Sequence, residues 1–113
     1  MNIKDMESSA ASASEMLKAL ANEDRLLILC QLADGEKTVG ELTRLIGLAQ
    51  PAVSQHLARL RREGLVGTRR ESQTIWYSLV STEAGQVIAL LYELYCAPKN
   101  KSARRPGGSS KKD

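Results

Sequence analysis

The sequence predicts a mainly helical fold with one small β-hairpin, in the order four helices, hairpin, fifth helix (ααααββα). Three observations carry that expectation. The composition is poor in aromatics, with no Phe, one Trp and three Tyr. Apolar residues recur every three or four positions over most of the chain, and a single β-rich stretch lies between residues 65 and 80. A chain of 113 residues makes one domain with one modest core. That core must come from Leu, Ile, Val and Ala, which suits packed helices better than an aromatic-rich sandwich.

The expected domain spans residues 13–97, after a flexible Ser/Ala-rich start over 1–12 and before a disordered tail over 98–113. Met16, Leu17 and Leu20 mark a first helix from Ala13 to Ala21. Asn22 is the expected N-cap of a second helix, with Glu23 and Asp24 in its first turn and Gly35 as its stop. Its inward stripe is expected at Leu26, Leu29, Cys30 and Ala33, which points Cys30 at the core.

Thr38 and Glu41 have the spacing of a capping box, and Leu42, Leu45 and Ile46 are the expected apolar face of a short third helix closed by Gly47. After Leu48 and Ala49, Pro51 sits in the first turn of a fourth helix that runs to about Arg62 and stops at Gly64. Val53, Leu57 and Leu60 face inward. The opposite side carries Gln55 and Arg62 at its centre, Arg59 beside them, and Ser54 and His56 on the flanks. A short helix, a tight turn and a longer helix with an amide-rich, basic outer face make a helix-turn-helix.

Leu65 to Arg70 and Thr74 to Val80 then form the hairpin, a wing with Arg69 and Arg70 near its tip. A last helix starts near Ser81 or Thr82, ends at Cys96 before Pro98, and is apolar on more than half its girth. Such a helix packs on two partners, its own domain and a second subunit. The expectation is therefore a homodimer through the first and last helices, with Met16, Leu20, Val87, Leu91 and Leu94 at the interface.

The net charge of +3 hides an uneven distribution. The tail holds six basic residues against Asp113, leaving ten basic and twelve acidic residues over 1–98. Within that body, residues 44–70 hold Arg44, Arg59, Arg61, Arg62, Arg69 and Arg70 against Glu63 alone. A basic patch on an acidic scaffold is the footprint of a surface that meets a polyanion. On this reading Gln50, Ser54, Gln55 and Arg59 read base edges of double-stranded DNA, while His56, Arg69 and Arg70 hold phosphates or the minor groove. A twofold dimer implies an imperfect palindrome as its operator. The tail adds either nonspecific DNA affinity or only solubility.

The start of the chain carries Asp5 and Glu7 and no signal-like apolar run, and no eighteen apolar residues occur together, so a cytoplasmic protein with no membrane partner is expected. Cys30 and Cys96 are then free thiols rather than a permanent disulfide. An enzyme is not expected: there is no Cys-x-x-Cys, and both cysteines stand late in helices, where the dipole disfavours thiolate. No cofactor is expected.

The segments Arg25-Leu-Leu-Ile-Leu-Cys30, Val39-Gly-Glu-Leu42, Val53-Ser-Gln-His-Leu57 and Leu60-Arg-Arg-Glu-Gly-Leu65-Val66 resemble the ArsR/SmtB family of winged-helix repressors, over roughly residues 13–97. Ala49 departs from the Ser or Thr cap that relatives often carry there. Metal-sensing relatives have a Cys-x-Cys in the third helix or Asp and His ligands in the last. This chain has neither, its sole His is His56, and no metal site is expected. The pair Cys30 and Cys96 is instead similar to the persulfide-sensing branch, BigR/SqrR-like and HlyU-like. That resemblance implies a repressor whose reduced dimer binds DNA and whose two thiols are linked within a subunit by reactive sulfur species, releasing the operator. Three other readings stay open: a metal-responsive regulator, a constitutive architectural DNA binder, and cysteines that are merely small buried hydrophobes.

Overall fold

A computed structural model describes residues 1–96, so the tail expected over 98–113 lies outside the described residues. The elements are α1 (Ile3–Leu20), α2 (Glu23–Ala33), α3 (Val39–Ile46), α4 (Gln50–Arg62), β1 (Val66–Glu71), β2 (Thr74–Leu79) and α5 (Thr82–Tyr95). This is the expected order, and it forms a winged helix-turn-helix.

Local chemistry explains most boundaries. The Asn22 side chain accepts from Arg25 N–H at 3.0 Å, capping α2. Thr38 and Glu41 close the capping box on α3 in both directions, at 3.1 and 2.9 Å. Gly47 ends α3 with a left-handed φ of 85°. Past α4, Gly64 takes φ 77°, its N–H donates to the Arg61 carbonyl, and Leu65 N–H donates to the Leu60 carbonyl. That pair of bonds is a Schellman ending, which turns the chain directly into the wing.

The helix α1 starts ten residues before the expected Ala13. Asn2 caps it by accepting from Lys4 N–H at 2.8 Å, Asp5 complements its first turn, and the alanines that follow favour helix over coil. The stretch expected to be flexible over 1–12 is therefore helical from Ile3 onward, although every residue in it is exposed.

At the centre of the core lies α2, which packs on α1, α3, α4, α5 and β2. Its buried residues are Ile28, Leu29 and Leu32, joined by Leu42 of α3, Val53, Leu57 and Leu60 of α4, Leu65 and Val66 entering the wing, and Ala84 and Ile88 of α5. All are aliphatic, as the composition demanded. Two expected inward positions are exposed, Ala33 and Leu45, the latter by 55%, while Leu26, Cys30 and Ile46 are half-buried and pack against the core. Both stripes satisfy helical spacing, and what selects the buried one is the packing of α5 and β2 on α2.

Of the residues expected at a dimer interface, Leu20 is only 4% exposed and belongs to the core, while Met16 and Val87 pack half-buried against it. Leu91 is half-buried and Leu94 exposed. Apolar residues left exposed on the two helices include Ile3, Met6 and Leu17 on α1 and Leu90, Tyr92 and Tyr95 on α5. The strands β1 and β2 pair antiparallel with Arg69 opposite Trp76 and Glu71 opposite Thr74, joined by Ser72 and Gln73, with Ser72 at φ 59°. Lys37, before α3, adds an unforeseen bridge: its N–H donates to the Tyr77 carbonyl at 3.0 Å and its carbonyl accepts from Tyr77 N–H at 2.8 Å.

Candidate nucleic-acid interface and sensor thiols

The connection through Leu48 and Ala49 sets α4 as the outer helix of the helix-turn-helix. Ala49 makes no side-chain cap, and Pro51 in the first turn supplies a preset backbone instead. Burial of Val53, Leu57 and Leu60 turns the opposite face outward, so Gln50, Ser54 and Gln55 are exposed, with Arg61 and Arg62 farther along. Ser54, Ala58, Arg61 and Arg62 also line a groove between α4 and the wing, completed by Leu57 and Tyr77. Arg61 and Tyr77 were not singled out from the sequence, although Arg61 stood in the basic run that would have found it.

The other flank of α4 faces α2. His56, expected at a phosphate, is half-buried with its Nε2 3.8 Å from Oδ2 of Asp24. It sits at the seam between two helices because its position on the wheel adjoins the buried stripe. Arg59 is half-buried on the same flank. Neighbouring Arg25 donates from Nε to the Ala19 carbonyl and from Nη2 to the Lys18 carbonyl at 3.2 Å, covering carbonyls at the end of α1. Burial, reinforced by the Arg59 charge, pulls the Arg25 guanidinium below its ordinary value.

The two wing arginines differ. Arg69 is forked onto Glu36, with Nε 2.7 Å from Oε2 and Nη2 2.8 Å from Oε1, and its Nη1 reaches Glu71 at 3.5 Å. Its guanidinium lies 5.6 Å from the centroid of the Trp76 ring. The hydrogen bonds from Arg69 hold the Glu36 carboxyl below the usual carboxylate range and raise Arg69 in turn. Arg69, expected among the phosphate contacts, is thus engaged by two carboxylates. Arg70 is exposed and donates from Nε to the Ser72 carbonyl at 3.2 Å.

The sulfurs form a second centre. Cys30 lies in the last turns of α2, half-buried, and Cys96 caps α5, exposed, its N–H donating to the Tyr92 carbonyl at 2.8 Å. Both are free thiols. Burial pushes the Cys30 thiol above its ordinary value, and Cys96 and then Asp34 add to the rise through their charge. Cys30 stands on α2 and Cys96 ends α5, and these two helices pack on each other. Among the described residues no group of three or more His, Cys, Asp or Glu is placed to hold a metal ion, and no helix is long and apolar enough to cross a membrane.

The signature of the bacterial regulatory proteins of the arsR family matches residues 22–68, from the cap of α2 into the wing. The chain is 56% identical to the transcriptional activator HlyU of Vibrio cholerae, over 85% of this chain and 89% of that protein. The crystal structure of the transcriptional repressor BigR from Xylella fastidiosa superposes with a TM-score of 0.80 at 42% identity, covering 86% of this chain and 99% of that one. The solution structure of the homodimeric winged helix-turn-helix DNA-binding domain of Mb0332 from Mycobacterium bovis gives a TM-score of 0.72 at 26% identity, with 94% of each chain covered. With this signature on its helix-turn-helix and relatives spanning most of both chains, the protein belongs to the ArsR family of winged-helix transcriptional regulators.

Proposed function

We propose that this regulator is a cytoplasmic homodimeric repressor whose hold on a palindromic operator is released when reactive sulfur species bridge Cys30 and Cys96. What supports the reading is that the chain's only two cysteines stand on α2, which supports the helix-turn-helix, and at the end of α5, which packs on α2. The exposed apolar residues Leu17, Leu90 and Tyr95 support a dimer through α1 and α5, and the homodimeric Mb0332 domain supports it by likeness. The exposed Gln50, Ser54 and Gln55, with Arg59 beside them, are suited to base edges in the major groove, and Arg70 to a phosphate.

The chemistry balances with a low-molecular-weight persulfide as the oxidant. Exposed Cys96 attacks the outer sulfur of one persulfide and releases a thiol, leaving a protein persulfide. That persulfide takes a second sulfur from a second persulfide molecule, releasing another thiol. Cys30 then attacks the middle sulfur and expels hydrosulfide, which closes a trisulfide. Two protein thiols are oxidised, and two persulfides are reduced to two thiols and hydrogen sulfide. A bridge with an added sulfur spans more than the 4.4 to 6.8 Å between Cα atoms that a simple disulfide tolerates. It would bias the dimer away from the spacing of successive major grooves, at the usual allosteric cost of about 1 to 3 kcal/mol or more. Intact mass and operator release after treatment with a persulfide donor, in the wild type and in Cys30→Ser and Cys96→Ser, test the reading.

A further inference from the structure

Arg69 and Arg70 are adjacent on β1, so their side chains leave opposite faces of the hairpin. On one face Arg69 passes over Trp76, its register partner, and forks onto Glu36, which lies outside the hairpin in the connection from α2 to α3. One residue on, Lys37 makes two backbone hydrogen bonds to Tyr77. Besides its packing on α2, α3 and α4, the wing is thus tied to the connection before α3 through backbone at Lys37 and through side chains at Glu36. With Glu36 and Glu71 both on Arg69, two carboxylates face one guanidinium. This local excess of negative charge repels a phosphate rather than drawing one.

We propose that Glu36 is a positioning residue for DNA binding, holding the wing through Arg69 so that Arg70 is the one of the two wing arginines that meets the phosphate backbone. This rests on the DNA-binding reading above. A wing without the strut keeps the Lys37 bridge and its packing on α2, α3 and α4 but loses its hold at Arg69, and Arg70 spends less time at its phosphate. The number of phosphates neutralised in the bound state is unchanged. Loss of Glu36 therefore weakens binding even though it removes a negative charge from a DNA-binding protein, the reverse of what bulk electrostatics predicts.

The test is a set of fluorescence-anisotropy titrations of the full chain on a random-sequence duplex long enough for two half-sites, at several salt concentrations. Glu36→Gln and Arg69→Lys, which keeps the charge but not the fork, are expected to weaken binding by about two- to fivefold with the salt slope of wild type. The double variant Glu36→Gln with Arg69→Lys is expected to be no weaker than either alone. Arg70→Ala is expected to lower the slope by about one. Tighter binding by Glu36→Gln would show Arg69 to be a phosphate ligand masked by its carboxylate, as would full affinity in Arg69→Lys with a slope reduced by about one in Arg69→Ala. Wild-type affinity in both single variants would show that the strut does not matter. Wild-type protein that binds no duplex sinks the DNA-binding reading and this inference together, a different outcome from any of these.

Discussion

The imidazole Nε2 of His56 stands 3.8 Å from the Asp24 carboxylate, so the recognition helix turns its histidine toward α2. Arg70 by contrast is exposed at the wing tip. Replacing His56 with Gln is therefore expected to change affinity without changing the salt slope, while Arg70→Ala lowers the slope by about one. Anisotropy titrations over a range of salt concentrations separate the two; a reduced slope in His56→Gln would put the histidine on a phosphate.

Gln55 lies on the exposed face of α4, away from the buried Val53, Leu57 and Leu60. A side-chain amide there suits an adenine edge. Gln55→Ala is expected to cost about 1 to 3 kcal/mol on a selected palindrome and almost nothing on random-sequence duplex. Equal losses on both would remove it from base reading.

Leu90 is 53% exposed on α5, whereas Leu20 is buried in its own subunit. Leu90→Glu should therefore leave the subunit folded and shift the protein to monomer in sedimentation velocity, since the charge would be desolvated in the dimer. Leu20→Ala should instead lower unfolding stability by about 2 to 5 kcal/mol through a core cavity. A fully dimeric Leu90→Glu would place the interface on another surface.

The thiols should differ in reactivity. Cys30 is half-buried with its thiol pushed up by burial and then by Cys96, while Cys96 is exposed. Iodoacetamide at neutral pH is expected to modify Cys96 first, and the pH midpoint for Cys30 alkylation should lie above that of an ordinary thiol. Because the folded value is the raised one, the stability contributed by burying Cys30 is intact below the ordinary thiol value. It is lost as pH rises through the raised one. Peptide mass spectrometry across pH reads the order directly, and faster labelling of Cys30 would contradict it.

What the sequence made legible was local. Asn22, Thr38 with Glu41, Gly47, Pro51 and Gly64 each act within a few residues of themselves, so the elements they bound could be read in order. The early start of α1 escaped because a Ser/Ala run is weakly patterned, and only the Asn2 cap marks it. The exposure of Ala33 and the half-burial of Cys30 are not legible because two stripes of α2 satisfy helical spacing and tertiary packing selects between them. The strut from Glu36 to Arg69 spans 33 residues, and nothing periodic announces it. Strand alternation says that Arg69 and Arg70 part ways, but not which face meets DNA.

The central claim is that Cys30 and Cys96 act together as the switch. Its most direct test is one titration of operator-bound protein with a persulfide donor, read by anisotropy and by intact mass on the same samples. The account predicts release of wild type in step with a mass gain of one sulfur between the two cysteines. Cys30→Ser and Cys96→Ser should bind the operator and stay bound throughout. Release of either Ser variant by the donor, or release governed by adding or removing metal with no change in sulfur content, would contradict it.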